Sequence, residues 1–217
     1  MQNYQLKNET ITVNHIDYPI RSLKDRQQFY DHEQRAEALG ISSATWPLFG
    51  VVWPAARILA ATVSLIELGD KRVLEIGYEI ALSSIVLHNM GVDITASDYH
   101  PLAKDFLDQN ILKNELPPIK FQTGNWETEN LLLGEYDLII GSDVLYEPAH
   151  AELVSRFIHS HSNINAEVII VDPNRGNRSS FTKKMIALNY THHFEKFNME
   201  GSDKASSCKG RILHFKR

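Results

Sequence analysis

Two aspartates in this 217-residue chain each stand at the tip of a run that reads as a strand. Asp98 comes about twenty residues after Gly77, the spacing of an acid that grips a ribose at the tip of a second strand. Its two oxygens can accept from both ribose hydroxyls. The plain alternative is an aspartate at a helix start beside Pro101, where it favours the helix dipole. Asp143 sits in Ser142-Asp143-Val144-Leu145-Tyr146, directly after a buried apolar run, with Tyr146 one turn on. A carboxylate there can orient an amine, with the Tyr146 ring beside it. Helix capping by Ser142 or Asp143 is compatible with that role.

Two further tips carry chemistry. Val73-Leu74-Glu75-Ile76-Gly77 leads into Tyr78-Glu79. Gly77 lets the chain leave a strand sharply and brings bare backbone close to a ligand. A dinucleotide site would need more glycines, because a pyrophosphate must approach backbone amides at the helix start. Glu79 would repel a pyrophosphate, yet suits a ligand that carries a sulfonium and an ammonium. An ordinary one-glycine turn is the bland reading. Gly124-Asn125-Trp126 could meet an adenine edge with an amide and its face with an indole. A tryptophan packed as a plug is the alternative. Taken together, the four tips point to an enzyme with an adenosyl cofactor.

The elements that must hold these tips alternate between strand and helix. Strands are expected at 73–76, 93–96, 119–122, 137–141 and 167–172, and helices at 81–90, from Pro101 to about 112, and 181–188. The runs 137–141 and 167–172 are continuously apolar, as in parallel strands buried on both faces. Such alternation gives a mostly parallel, doubly wound α/β sheet with helices on both sides. Residues 191–197 and 211–216 read as a closing antiparallel hairpin around a polar loop at 198–210. Before the sheet, 10–13 and 16–20 flank Asn14-His15 as a β-hairpin, with Pro19 marking an edge. An exposed helix is expected over 24–39, stopped by Gly40. An aromatic connector over 45–54 leads to a helix from Pro54 to about 68. The expected division is an N-terminal extension over 1–45 and one catalytic domain over 46–217.

Composition excludes several classes. A net charge of −5 argues against a general nucleic-acid binder, which needs a basic face. A single cysteine, Cys208, permits neither an internal disulfide nor a thiolate zinc site, and no base is placed to make it a nucleophile. No metal is expected from His159 and His161 or from His192-His193, whose spacings lack an i, i+4 pair or a companion carboxylate. No apolar stretch is long enough to cross a bilayer, and no signal core opens the chain, so the cytoplasm is the expected compartment. The turn Asp172-Pro173-Asn174-Arg175-Gly176-Asn177-Arg178 reads first as a polar lead-in to a helix, with lining of the acceptor side as the alternative.

Val73–Gly77, the stretch 92–101 with Thr95-Ala96-Ser97-Asp98-Tyr99, Gly124-Asn125-Trp126 and the stretch 137–146 occur in an order that resembles the class I, seven-stranded S-adenosylmethionine-dependent methyltransferases. Within them the chain is similar to methyltransferase family 16, which includes many protein-lysine methyltransferases. The resemblance runs from about 53 to 172. It implies a Rossmann-like seven-stranded sheet and S-adenosylmethionine as donor. It implies a donor site built by Trp53, Glu75, Gly77, Tyr78, Glu79, Asp98, Tyr99, Asn125, Trp126 and Ser142, with Asp143 and Tyr146 facing the acceptor. It further implies methyl transfer to an amine nitrogen, most plausibly a protein lysine, with a small-molecule amine as the alternative acceptor. The chain departs from the family in keeping one glycine where two or three are usual. Tyr78 is expected to add bulk where backbone would approach the methionine part. That departure leaves a catalytically silent binding protein as a third reading.

Overall fold

The computed structural model describes residues 4–25, 31, 34–41, 48–128, 130, 132–200 and 207–217. A hairpin of β1 (Leu6–Val13) and β2 (Ile16–Leu23) opens the chain. Its turn places Asn14 and His15 both at positive φ, the conformation that matches the strand twist of a two-residue hairpin. Of the helix expected over 24–39, the described residues form α1 (Arg35–Ala38), and β2 ends at Leu23, just before that stretch. The Asp31 carboxylate accepts from the backbone N–H groups of Arg35, Ala36 and Glu37, fixing the start of α1. Residues 26–30, 32 and 33, and 45–47 of the aromatic connector, lie outside the described residues.

The sheet follows. Its strands are β3 (Arg72–Ile76), β4 (Asp93–Asp98), β5 (Lys120–Thr123), β6 (Tyr136–Ser142), β7 (Ser162–Asp172), β8 (Thr191–Met199) and β9 (Cys208–Lys216), in the order β5-β4-β3-β6-β7-β9-β8. The first five pair in parallel, and β9 inserts antiparallel between β7 and β8. The expected doubly wound sheet with a closing hairpin is therefore what forms. Cys208 opens β9 rather than lying in the loop, and it is a half-buried thiol whose pKa burial raises. Residues 201–206 of that loop are outside the described set.

Helices cover both faces: α2 (Pro54–Val63), α3 (Leu82–Asn89) and α4 (Ala103–Lys113) on one, α5 (His150–Ser160) and α6 (Arg178–Ala187) on the other. Alternate strand residues feed two cores. Val73, Leu138, Ile140 and Ile169 pack with α2, α3 and α4, whereas Leu74, Ile139, Val168 and Ile170 pack with α5 and α6. The hairpin shares the first core through Ile11, Val13, Tyr18 and Ile20. It is pinned to α4 by Asn110, which exchanges hydrogen bonds with the Arg21 backbone (2.7 and 3.1 Å), and by Asn114, which donates to Pro19 O at 2.9 Å.

Glu75 lies inside this packing at 2% exposure. It accepts from the backbone N–H of Ser84 at 2.8 Å and from its hydroxyl, tying β3 to the first turn of α3. Burial pushes its carboxyl up to about 7. A folded-state pKa above the unfolded one gives a contribution that is full below the unfolded value, here 4.5, and is lost as pH rises through about 7. Glu75→Gln keeps an acceptor and removes that ionisation. Relative to wild type, the Gln variant should gain on the order of 1 kcal/mol between about pH 6 and about pH 8, seen as a Tm difference that widens by about 2–4 °C. A pH-independent difference would show that folded Glu75 is already ionised throughout this range.

Candidate active site

Strands β3 and β6 are neighbours, but the chain leaves β3 toward β4 and β5 and returns past β6 toward β7. Strand order reverses there, and ligands of open α/β sheets bind beyond the strand tips at such a point. A cleft of about 340 Å³ occupies that position. Gly77 and Glu79 after β3, Asp98 and Tyr99 at β4, Asn125 and Trp126 after β5, Ser142, Asp143 and Tyr146 after β6, and Trp53 before α2 all line it, together with Gly124. Ten of the twelve site residues expected from sequence thus meet in one place.

Glu75 and Tyr78 do not line it. Glu75 is spent on the start of α3, as described above. Tyr78 turns into the core at 4% exposure, edge-on to Phe121 with ring centroids 6.2 Å apart, so its bulk is removed from the cleft. The reason is the loop's backbone. Gly77, Glu79 and Ala81 all adopt left-handed φ (59°, 56° and 61°), so alternate residues of the turn point in opposite directions. Only the first of these is glycine. Left-handed conformations at Glu79 and Ala81 each cost about 1–2 kcal/mol and must be held by their surroundings. A side chain at Gly77 would be strained by its left-handed φ and crowded: a Cβ there would lie 3.0 Å from Val144 Cγ1 and 3.1 Å from Trp126 Cζ2.

Asp98 is held from both sides. One oxygen accepts from Glu79 N–H at 3.0 Å and the other from His100 N–H at 2.8 Å. Each oxygen keeps acceptor capacity for a ligand. Burial raises the Asp98 carboxyl, with its backbone hydrogen bonds opposing. The Glu79 carboxyl is raised further, by burial and then by repulsion from Asp98 and Asp143.

Asp143 is 8% exposed and accepts two bonds from Arg175, Nε to Oδ1 at 2.8 Å and Nη2 to Oδ2 at 2.6 Å. The guanidinium also lies 5.9 Å from the Trp53 ring. Arg175 is brought there by the turn after β7, where buried Asp172 accepts from Asn174 N–H at 3.1 Å and Arg175 N–H at 3.4 Å. The turn read from sequence as a polar lead-in is therefore part of the cleft wall. Tyr146 packs edge-on to His150 with centroids 4.4 Å apart. Although the residue is 37% exposed, partial burial and neighbouring carboxyls push its phenol far above the usual value.

Sequence reasoning reaches Arg175 only as part of a turn that is an alternative acceptor wall, and it misses Glu147, His150 and the roof. Leu39, Gly40, Ile41, Leu48 and Phe49 line the cleft from the segment before α2. Tyr99 donates to Leu39 O and Trp53 to Leu48 O, each at 2.9 Å. Phe49 stacks on His100 at 3.7 Å, and burial lowers that imidazole to about 3, leaving it neutral. Among the described residues, Glu79, Asp98, Glu127, Asp143 and Glu147 face Arg175 as the cleft's lone permanent cation.

The sequence profile of the family described as lysine methyltransferase matches residues 39–188 of this chain. The chain belongs to that family. Protein N-lysine methyltransferase METTL21A of Mus musculus is 31% identical over 151 residues, covering 65% of this chain and 68% of that protein. Histone-arginine methyltransferase METTL23 of Rattus norvegicus is 32% identical over 124 residues, 54% of this chain and 55% of that protein. Among solved structures, the putative methyltransferase SMU.776, complexed with SAH, superposes with a TM-score of 0.63 at 15% identity, covering 97% of this chain and 56% of that one. This lysine methyltransferase family member is an S-adenosylmethionine-dependent methyltransferase.

The cleft fits that donor. Gly77 leaves bare backbone at the wall, where added bulk has no room. Asp98 presents carboxylate acceptors to the cleft, Asn125 and Trp126 an amide and an indole, and Glu79 a further carboxyl, groups that a ribose, a base and a cationic end would each require. Glu79 sets a pH dependence. Its raised carboxyl holds a proton at pH values where an ordinary carboxyl would not. A cationic donor draws it into the ionised form, so binding releases a proton and affinity rises as pH climbs toward the raised pKa. Calorimetry in two buffers of different ionisation enthalpy should show this release, and Glu79→Gln should abolish it. Equal proton release by the Gln variant would assign it to another group.

Proposed function

We propose that this chain methylates the side-chain amine of a lysine in a protein. The observation that carries the reading is the pairing of two carboxylate stations, Asp98 at the β4 tip and Asp143 at the β6 tip, across one acidic cleft. The donor, when bound, supplies an electrophilic methyl on a positively charged sulfur. The protein's task is then positional, since in-line transfer gains most from alignment. Asp98 and the Gly77 turn fix the donor. Asp143 and the Tyr146 ring orient the amine.

A lysine amine has an unperturbed pKa of about 10.4 and must lose a proton before it attacks. Asp143 alone would favour the charged form, so its part is orientation, and the proton leaves to water. Arg175 tempers this by sharing the Asp143 oxygens. The phenol of Tyr146, kept protonated, flanks the cation with its ring.

A second reading has its own support. Asp143 already accepts a guanidinium in a two-bond fork, so the same station can take an arginine. The similarity to a protein named as a histone-arginine methyltransferase runs in the same direction.

The test uses labelled S-adenosylmethionine with a protein extract, then hydrolysis of the labelled protein to amino acids. Methyl-lysine supports the proposal. Methyl-arginine supports the second reading. Label confined to small molecules replaces both with a small-molecule amine acceptor. No label, together with no Tm shift by donor or its demethylated product, makes the chain a silent binder.

A further inference from the structure

Away from the cleft, three ligand-bearing side chains converge on the outer hairpin. His193 of β8 lies directly opposite His214 of β9, and Glu195 lies two residues beyond His193. Successive side chains on a strand alternate faces, so His193 and Glu195 share the face that His214 presents across the ladder. The two imidazoles are parallel, with centroids 4.6 Å apart and an interplanar angle of 3°. Glu195 Oε1 is 3.7 Å from His214 Nε2. One ligand atom from each residue lies within 4.8 Å of the other two.

We propose that His193, Glu195 and His214 form a site for a divalent transition metal, with zinc as its natural occupant. Two imidazole nitrogens and one carboxylate oxygen are a recognised zinc donor set, with a fourth position left for water. Bonds of about 2.0–2.1 Å put neighbouring ligand atoms roughly 3.4 Å apart in a tetrahedron, so the set must draw in by about 1.4 Å at most. His193 and Glu195 are exposed and can turn to do so. The buried Nε2 of His214 has no hydrogen-bond partner, an uncompensated cost that a metal bond would remove. Neighbouring His192 stacks instead on Phe215, on the other face of the strand. The pattern H-x-E on one strand with a histidine across the ladder is invisible in sequence until the register is known. A metal here would fasten β8, the sheet's edge strand, to β9.

The full chain, freed of metal by chelator and dialysis, is titrated with zinc chloride by calorimetry and heated with and without zinc. One zinc should bind per chain, and Tm should rise by about 5–10 °C at zinc about a hundredfold above its Kd. His193→Ala should keep the metal-free Tm and lose the rise. Glu195→Gln should weaken binding at least about tenfold, a typical cost of losing one ligand interaction. His192→Ala should bind as wild type does. No saturable zinc binding, an unchanged rise in His193→Ala, or equal loss in His192→Ala would each overturn the assignment. None of these readouts involves the methyl donor, so they stand apart from the proposed reaction.

Discussion

Replacing Asp143 with alanine should cut kcat for methyl transfer by about 10²–10³-fold, because misplacing a reacting group by about 1 Å costs that order. Donor affinity should move little, since Asp98 and the Gly77 turn lie on other strand tips. The substitution also leaves the Arg175 guanidinium without its two-bond partner. Asp143→Asn, which keeps one acceptor for Arg175, separates the two effects. If orientation of the acceptor is what matters, both variants lose kcat. If Arg175 placement is what matters, the Asn variant recovers most of it. Single-turnover kinetics with donor binding measured separately decide the matter. Equal loss of kcat and donor affinity would make Asp143 a donor-site residue instead.

Asp98→Ala should act on the opposite side of the ledger. Removing a carboxylate that accepts from a ligand costs about 1.5–3 kcal/mol per bond, so donor affinity should fall by about 10²-fold or more. The alanine also orphans the N–H groups of Glu79 and His100, which Asp98 now satisfies. Asp98→Asn keeps an acceptor for one of these two N–H groups, so it should disturb the loop less than alanine while still weakening ribose binding. Equilibrium binding of the donor, with Tm of the free protein as the control for folding, checks this. An Asn variant with wild-type affinity would remove Asp98 from the donor site.

Much of this arrangement could be read from the chain itself. The parallel strands are legible because a strand buried on both faces must be a continuous apolar run, as in Leu138-Ile139-Ile140 and Val168-Ile169-Ile170. The site tips follow, because a polar residue directly after such a run has nowhere to go but the sheet's end. The helix α5 carries its own signal, with Ala151, Val154, Phe157 and Ile158 buried at helical spacing. His161 pairs its Nδ1 with Gly134 O.

What was not legible depended on direction and reach. The run 24–39 is mostly polar, and the Asp31 carboxylate, by taking three N–H groups, fixes where α1 begins. Tyr78 seemed to intrude on the cleft because sequence does not reveal that three alternating left-handed residues turn it away. Arg175 sits 32 residues from Asp143 in sequence, and only the adjacency of β6 and β7 brings them together. The same holds for His193, Glu195 and His214, which only the β8–β9 register unites.

The roof of the cleft belongs to the stretch of chain that follows the opening hairpin, and that hairpin is clamped to α4 by two asparagines. Leu23 at the end of the hairpin donates its N–H to Gly50 O beside the roof, at 2.6 Å, so filling the cleft should also stiffen the hairpin. Amide protons of β1 and β2, which touch no ligand, should exchange with deuterium more slowly once the donor is in place, making the hairpin a remote gauge of whether the enzyme is loaded.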